Sequence, residues 1–284
     1  MPAQRRRASM VAAALAPVFA GALAPPRRLR LLTFDLDDTF WPTGAVVARA
    51  NEAMRAALAR EGADGAGHQD AMKRLRRAAG PAMSYTEART EACAALLAEA
   101  GADVKLAPRI FDVWLDERHR AAEALLFDGS ADALREVTRR HPAAVVAAVT
   151  NGRGDPARMP SLKPFFAFTV SGEAAGVHPN RKPSPVIYEA ALERAGVSNA
   201  DDAWIHVGDC LLNDCDAAKR VGARTVWLDA SPPSHAQNAY STLSADDRAA
   251  RAAVMGAVDP AAAVDARILT IAELPDAVDA ALDK

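Results

Sequence analysis

Short apolar runs and amphipathic stretches take turns along most of this chain. Leu29 to Phe34, Val145 to Val149, Phe166 to Val170, Ala203 to Val207 and Arg224 to Leu228 are apolar-rich segments of strand length, and each predicts a buried β-strand. Between them the apolar spacing becomes helical, at Ala131 to Arg140, Pro185 to Ala195 and Leu212 to Val221. Ser184 is placed to cap the second of these helices, Pro185 suits its first position and Gly196 ends it, while Gly222 stops the third. Ile268 to Ile271 reads as a last edge strand and Leu274 to Leu282 as a closing helix. Ser231 to Val264 lacks strand periodicity and reads as loop plus an exposed helix. Alternating strand and helix predict an α/β fold, a doubly wound parallel sheet with helices on both faces.

One long stretch departs from that alternation. Val46 to Leu125 is helical in pattern, rich in alanine, leucine and arginine, and broken at Gly62 to Gly67, at Gly80-Pro81 and at Gly101. It holds roughly four helices, too many for a simple crossover. The predicted organisation is therefore a core made of residues 29–45 and 126–284, with a helical unit of residues 46–125 inserted in it.

Composition narrows the picture only slightly. Half of the 284 residues are apolar and 25% are charged, ordinary values for a chain with a sizeable core. A net charge of -2 gives no global electrostatic reason to bind nucleic acid or an anionic membrane. The three cysteines, Cys93, Cys210 and Cys215, do not form a disulfide framework and read as free thiols. Residues 1–28 stand apart: six arginines and no acid precede Asp35 within the first thirty positions, and an apolar run from Met10 to Ala24 follows Arg5-Arg6-Arg7. This segment reads first as an organelle (plastid or mitochondrial) transit peptide, with a secretory signal and a disordered extension as alternatives; in the last case the protein would be cytoplasmic. The apolar run is short for a membrane span and Pro17 interrupts it.

The candidate chemistry sits where the predicted strands end. Asp35-Leu36-Asp37-Asp38-Thr39 follows the first strand, Thr150-Asn151-Gly152 the second, and Gly208-Asp209 with Asn213-Asp214 the fourth; Lys182 lies in Arg181-Lys182-Pro183-Ser184-Pro185. In parallel sheets ligands bind at the carboxyl ends of strands. Residues two apart on a strand point the same way, so Asp35 and Asp37 can face one site. Carboxylates, a hydroxyl and an amine so placed are the parts needed to hold a hard cation and a phosphoryl group. Any one motif also fits helix-capping acids and a solvated surface lysine.

In order and spacing the four motifs closely resemble the haloacid dehalogenase-like hydrolase superfamily, over roughly Arg30 to Asp229. That resemblance implies a Rossmann-like core with an inserted helical cap, and a magnesium-dependent phosphatase working through an aspartyl-phosphate. It implies Asp35 as nucleophile and Asp37 as general acid and base. It implies Mg2+ held by the side chains of Asp35 and Asp209 and the backbone carbonyl of Asp37, with Asp214 binding through water or orienting the site. Thr150, Asn151 and Lys182 would bind the phosphate or substrate. Dehalogenases of this superfamily need no acid at the position of Asp37, because halide leaves without a proton, so Asp37 points to phosphate esters. The wording of the core resembles flavin mononucleotide and phosphoglycolate phosphatases, and a cap implies a small phosphorylated metabolite as partner. Other transfer enzymes of the fold (phosphomutase, phosphonatase, dehalogenase) and a non-catalytic binding protein are the alternatives.

Several residues remain outside the motifs. Asp38 reads as solvated or loop-stabilising, Trp41 as packing between core and insertion rather than stacking on substrate, and Arg181 as a rival cation to Lys182. Lys73-Arg74-x-Arg76-Arg77 reads as a solvated helix face, and Tyr85 and Trp114 as insertion core. His119, His141 and His206 lack partners at ligand spacing and read as structural or exposed; His178 could touch substrate.

Overall fold

A computed structural model of the chain describes residues 28–198, 204–230 and 245–284. The leader reading of residues 1–28 falls, apart from Arg28, outside the described residues, as does part of the 231–264 segment. Among the described residues, no helix is long and apolar enough to cross a membrane.

The apolar runs form one parallel sheet: β1 (Leu31–Phe34), β2 (Val145–Thr150), β3 (Phe168–Ser171), β4 (Trp204–Gly208), β5 (Arg224–Leu228) and β6 (Ala266–Ile268), in the order β3-β2-β1-β4-β5-β6. The chain winds outward from β1 to β3 and then crosses to β4, so β1 and β4 flank the switch point, where a crevice opens at the strands' carboxyl ends. Every residue of β1 and β4 is buried, as both faces are covered. On one face Leu32, Phe34, Ile205 and Val207 pack with α5 (Ser130–Arg140) and α10 (Leu274–Leu282). On the other, Leu31, Val149 and Trp204 pack with Ile187 and Tyr188 of α6 (Pro185–Ala195). Ser184 caps α6 by accepting from the Val186 N–H.

Between β1 and β2 lies the helical insertion: α1 (Thr43–Arg60), α2 (His68–Ala79), α3 (Tyr85–Glu99) and α4 (Ala107–Ala124). It has an apolar centre of its own, in which Met54, Leu58, Cys93, Leu97, Ile110 and Trp114 pack together. Ser84 and Glu87 form a capping box at the start of α3. The insertion is tied to the core by Glu173, whose carboxylate accepts from the Tyr85 and Thr86 N–H groups at 3.3 and 2.8 Å. A carboxylate at a helix N-terminus satisfies free donors and complements the dipole.

Two expected elements differ. The helix read over Leu212 to Val221 is a wide π-type turn, Leu211–Asp216, followed by a short α7, Ala217–Arg220. The Cys210 carbonyl accepts from both Asp214 N–H and Cys215 N–H, at 2.8 and 3.4 Å, and the widened turn lays the Asp214 side chain back over Gly208. The last strand ends at Ile268, because Thr270 and Glu273 form a capping box that opens the path into α10. Helices α8 (Ala245–Gly256) and α9 (Pro260–Ala263) precede β6.

Two outcomes follow from this packing. Burial holds the His68 imidazole down at about 4 from an ordinary 6.5, despite its hydrogen bond to the Arg89 carbonyl, and burial holds His119 at about 4 as well. Between these pH values the unfolded chain takes up protons that the folded chain refuses, so this contribution to stability is present above pH 6.5 and lost as pH falls toward 4. His68→Gln is expected to flatten the slope of the urea midpoint against pH in that window; an unchanged slope removes His68 from the account. A Cβ on Gly208 would lie 2.4 Å from Asp214 Cγ, so Gly208→Ala must push the turn outward. It is expected to cost about 1–3 kcal/mol in denaturant unfolding.

Candidate active site

The loop after β1 is held tightly. Asp38 adopts a left-handed conformation (φ 65), and its carboxylate accepts from the Thr43 N–H at 2.8 Å, pinning the start of α1. Asp38 thus has the loop-stabilising part. Trp41 is fully buried, packs against Phe40, and its indole N–H donates to Asp37 Oδ1 at 2.9 Å. Thr43 Oγ1 donates to the same oxygen at 3.1 Å.

Asp35, at the end of β1, meets Lys182 and Asp214 in a buried cluster. Lys182 Nζ lies 2.5 Å from Asp35 Oδ1 and 2.6 Å from Asp214 Oδ1. One ammonium is shared by two acids, and the sharing is uneven. Burial raises Asp35; Lys182 lowers it, but Asp214, Asp209 and Asp37 raise it further, and the carboxyl ends well above the usual range. Burial would raise Asp214 too, yet Lys182 and His206 outweigh it and hold that carboxyl far down. Lys182, despite burial, is kept charged by Asp214 and Asp35.

This cluster is short of positive charge. Asp35, Asp209 and Asp214 each offer one carboxylate oxygen, and these lie within 4.8 Å of one another. An all-oxygen donor set with excess negative charge suits a hard divalent cation such as Mg2+. The donor set therefore fits the ion that the sequence motifs imply.

Behind Asp214 runs a line of buried polar groups on the α6 face of the sheet. The Trp204 indole N–H donates to Thr33 Oγ1 at 2.7 Å, and Thr33 Oγ1 lies 2.8 Å from His206 Nδ1. His206 Nε2 faces Asp214 Oδ1 at 3.4 Å. Burial keeps the imidazole neutral by lowering its pKa, only partly opposed by Asp214. The nitrogen facing a carboxylate must then carry the hydrogen, so Nδ1 accepts from the Thr33 hydroxyl. Cys210 N–H completes the fixing of Asp214, donating to Oδ2 at 3.0 Å.

Thr150 is buried at the end of β2, and its Oγ1 accepts from the Gly152 N–H at 3.1 Å. A Cβ on Gly152 would fall 2.9 Å from Asp37 Oδ2, which places this turn against the first motif. Asn151 is turned toward Lys182: its Nδ2 donates to the Lys182 carbonyl at 3.0 Å and its Oδ1 accepts from the Lys182 N–H at 2.7 Å. Both ends of that carboxamide position the lysine. Arg181 is directed elsewhere, to the Asn151 carbonyl and to Glu173, with its guanidinium 4.6 Å from the Tyr85 ring centre.

The sequence reading missed a basic residue. Arg118 of α4 reaches from the insertion to Asp37, its Nη2 lying 2.7 Å from both carboxylate oxygens. Burial raises Asp37, but Arg118 and the donors on Trp41 and Thr43 outweigh it and hold the carboxyl below its ordinary value. The available signal was a charge inside an apolar stripe, since Ala107, Ile110, Phe111, Trp114, Ala121 and Ala122 are buried positions on that side of α4. The weaker histidine candidates lie apart from the acids, except His206: His119 bonds the Leu115 carbonyl, His141 pairs with Asp279, and His178 bonds the Ala82 carbonyl of the insertion. In the basic cluster of α2, Arg74 and Arg77 are exposed and Arg76 stacks on Tyr85 at 3.9 Å.

Comparison with known proteins agrees with this geometry. The 5-amino-6-(5-phospho-D-ribitylamino)uracil phosphatase YigB of Escherichia coli is 27% identical over 222 residues, covering 72% of this chain and 85% of its own. The crystal structure of a 2-haloacid dehalogenase from Pseudomonas syringae superposes with a TM-score of 0.64 at 26% identity, over 88% of this chain and 98% of that one. The sequence profile of the haloacid dehalogenase-like hydrolases matches residues 29–222, and the chain belongs to that family of hydrolases.

Proposed function

We propose that the protein is a magnesium-dependent phosphatase that hydrolyses a small phosphorylated metabolite through an aspartyl-phosphate on Asp35. The observation that carries this reading is the second carboxylate: Asp37 lies two residues beyond the buried Asp35–Lys182 pair and against the Thr150–Gly152 turn. An acid in that place is needed to protonate an alkoxide leaving group and is idle if the leaving group is halide.

In this reading an Asp35 oxygen attacks phosphorus in line, and the ester P–O bond breaks as the leaving oxygen takes a proton from Asp37, which must first be protonated against the pull of Arg118. Water then attacks the phosphorus of the acyl phosphate, giving its proton back to Asp37 and freeing the Asp35 carboxylate. Lys182 offsets the charge of nucleophile and phosphoryl oxygens, and Thr150 Oγ1 donates to one of those oxygens. Asn151 and Asp214 keep Lys182 aimed at Asp35. Asp35, Asp209 and Asp214, with the Asp37 carbonyl, would hold Mg2+, whose charge offsets the repulsion between the acids and the phosphate. Helices α1 to α4 act as a cap that excludes water and selects the substrate. The Escherichia coli relative, named a phosphatase, supports the same class; the Pseudomonas syringae neighbour, named a dehalogenase, keeps haloacids in the test.

The test is a phosphate-release screen over phosphorylated metabolites with Mg2+, run beside chloride release from 2-chloro acids. Phosphate release is expected, abolished by a chelator and restored by added Mg2+; halide release alone would overturn the reading. Asp35→Asn is expected to lower kcat by about 10³-fold or more. Asp37→Asn should cost about 10²–10⁴-fold on alkyl phosphates. The loss should be much smaller on p-nitrophenyl phosphate, whose leaving group needs no proton.

A further inference from the structure

Two arginines of the insertion are buried with donors to spare. Arg118 is 2% exposed and Arg89 of α3 is 8% exposed, each within the apolar stripe of its helix. Arg118 Nη2 serves both Asp37 oxygens, but Arg118 Nη1 is buried without a partner. Arg89 Nε is also buried without a partner. Its other contacts are a long bond of 3.4 Å to the Tyr85 carbonyl and the Trp114 ring centre at 3.9 Å. Burial together with Arg118 holds Arg89 down to about 10, which leaves Arg89 a cation at neutral pH.

The acids nearby do not balance them. Asp37 pairs with Arg118 and also takes the Trp41 and Thr43 donors, and Glu173, the acid that acts on Arg89, is already engaged by the Tyr85 and Thr86 N–H groups and by Arg181. Cys93, which also acts on Arg89, supplies no counter-charge at neutral pH, because burial pushes its thiol up to about 12. A tie whose purpose was only to hold α4 against the core would leave no guanidinium nitrogen stranded, because an unpaired buried donor on a cation is costly. The site of the excess also matters. A Cβ on Gly152 would meet Arg118 Nη2 at 3.3 Å, so the guanidinium lies at the turn that carries Thr150.

We propose that Arg118 and Arg89 form an anion subsite, which takes a second anionic group, a carboxylate or a second phosphate, carried by the phosphorylated substrate a few bonds from the ester. This rests on the phosphatase reading and narrows it. Neutral polyol phosphates leave both stranded donors unpaired, whereas a carboxylate or phosphate pairs them with charge-assisted bonds.

The test uses two matched pairs of esters on the full-length protein with Mg2+: D-3-phosphoglycerate against glycerol 3-phosphate, and propane-1,3-diyl bisphosphate against 3-hydroxypropyl phosphate. Each pair keeps the reacting end alike and adds one anion. The wild type is expected to favour the more anionic member of at least one pair by about tenfold or more in kcat/KM, and which pair responds distinguishes carboxylate from phosphate. In Arg89→Met, and separately in Arg118→Lys, that ratio should fall by about tenfold. A wild-type ratio near one in both pairs, which needs no variant to fold, overturns the subsite. So does an equal loss on both members, since the arginines would then serve the reacting phosphoryl group or the fold. Calorimetry of the same compounds with the Asp35→Asn protein should give the same ratio in Kd. If no ester is hydrolysed, p-nitrophenyl phosphate included, the phosphatase reading fails, and the Kd ratio alone then supports or overturns the subsite.

Discussion

A single ammonium shared between two buried carboxylates organises this molecule. Lys182 draws together the end of β1 through Asp35, the turn after β4 through Asp214 and, by its backbone, the end of β2 through Asn151. Buried ion pairs are poor sources of stability, because desolvation consumes most of the Coulomb gain. Three acids around one lysine make that worse, and the strain falls on Asp35, the carboxyl pushed furthest up. The cluster is best understood as a site held ready for added positive charge, within a fold whose stability comes from the apolar faces on either side of the sheet.

Two of the polar ties between the insertion and the core lie beside this cluster and differ in character. Glu173 caps α3 and also receives Arg181, the neighbour of Lys182, so the start of that helix is anchored beside the third motif. Tyr85 completes the joint, lying between the guanidinium groups of Arg76 and Arg181. The second point is Arg118 on Asp37. The first joint lies outside the motif acids, whereas the second touches one of them, so movement of α4 changes the surroundings of Asp37 directly.

What the sequence made legible is what short-range pattern encodes. Strands buried on both faces appear as continuous apolar runs, so β1, β2 and β5 lie close to where the runs stand, and Ser184, Pro185 and Gly196 mark the ends of α6 without help from tertiary structure. The motif acids were legible because strand ends in a parallel sheet converge. The wide turn at Leu211–Asp216 was not, since its sequence suits a helix and only the demand that Asp214 reach Lys182 opens it. That Asn151 braces the backbone of Lys182 was not legible, because this partner lies 31 positions away. Arg118 and Arg89 stood out locally only as charges inside apolar stripes, and the partner of Arg118, Asp37, lies 81 positions away.

The line from Trp204 through Thr33 to His206 has a consequence for assembly. Leu31 pairs with Trp204 and Thr33 with His206 across the β1–β4 boundary, deep in an otherwise apolar layer. If β4 slid by one residue, its side chains would turn to the opposite face, and a hydroxyl, an indole N–H and an imidazole would be left among leucines and valines with nothing to bond. An all-apolar pair of strands would carry no such penalty. The three residues work as a key between the two central strands: the sheet closes in the one alignment that also brings the Asp35 N–H to the Val207 carbonyl, two positions before Asp209, so the alignment of the crevice is checked one layer beneath it.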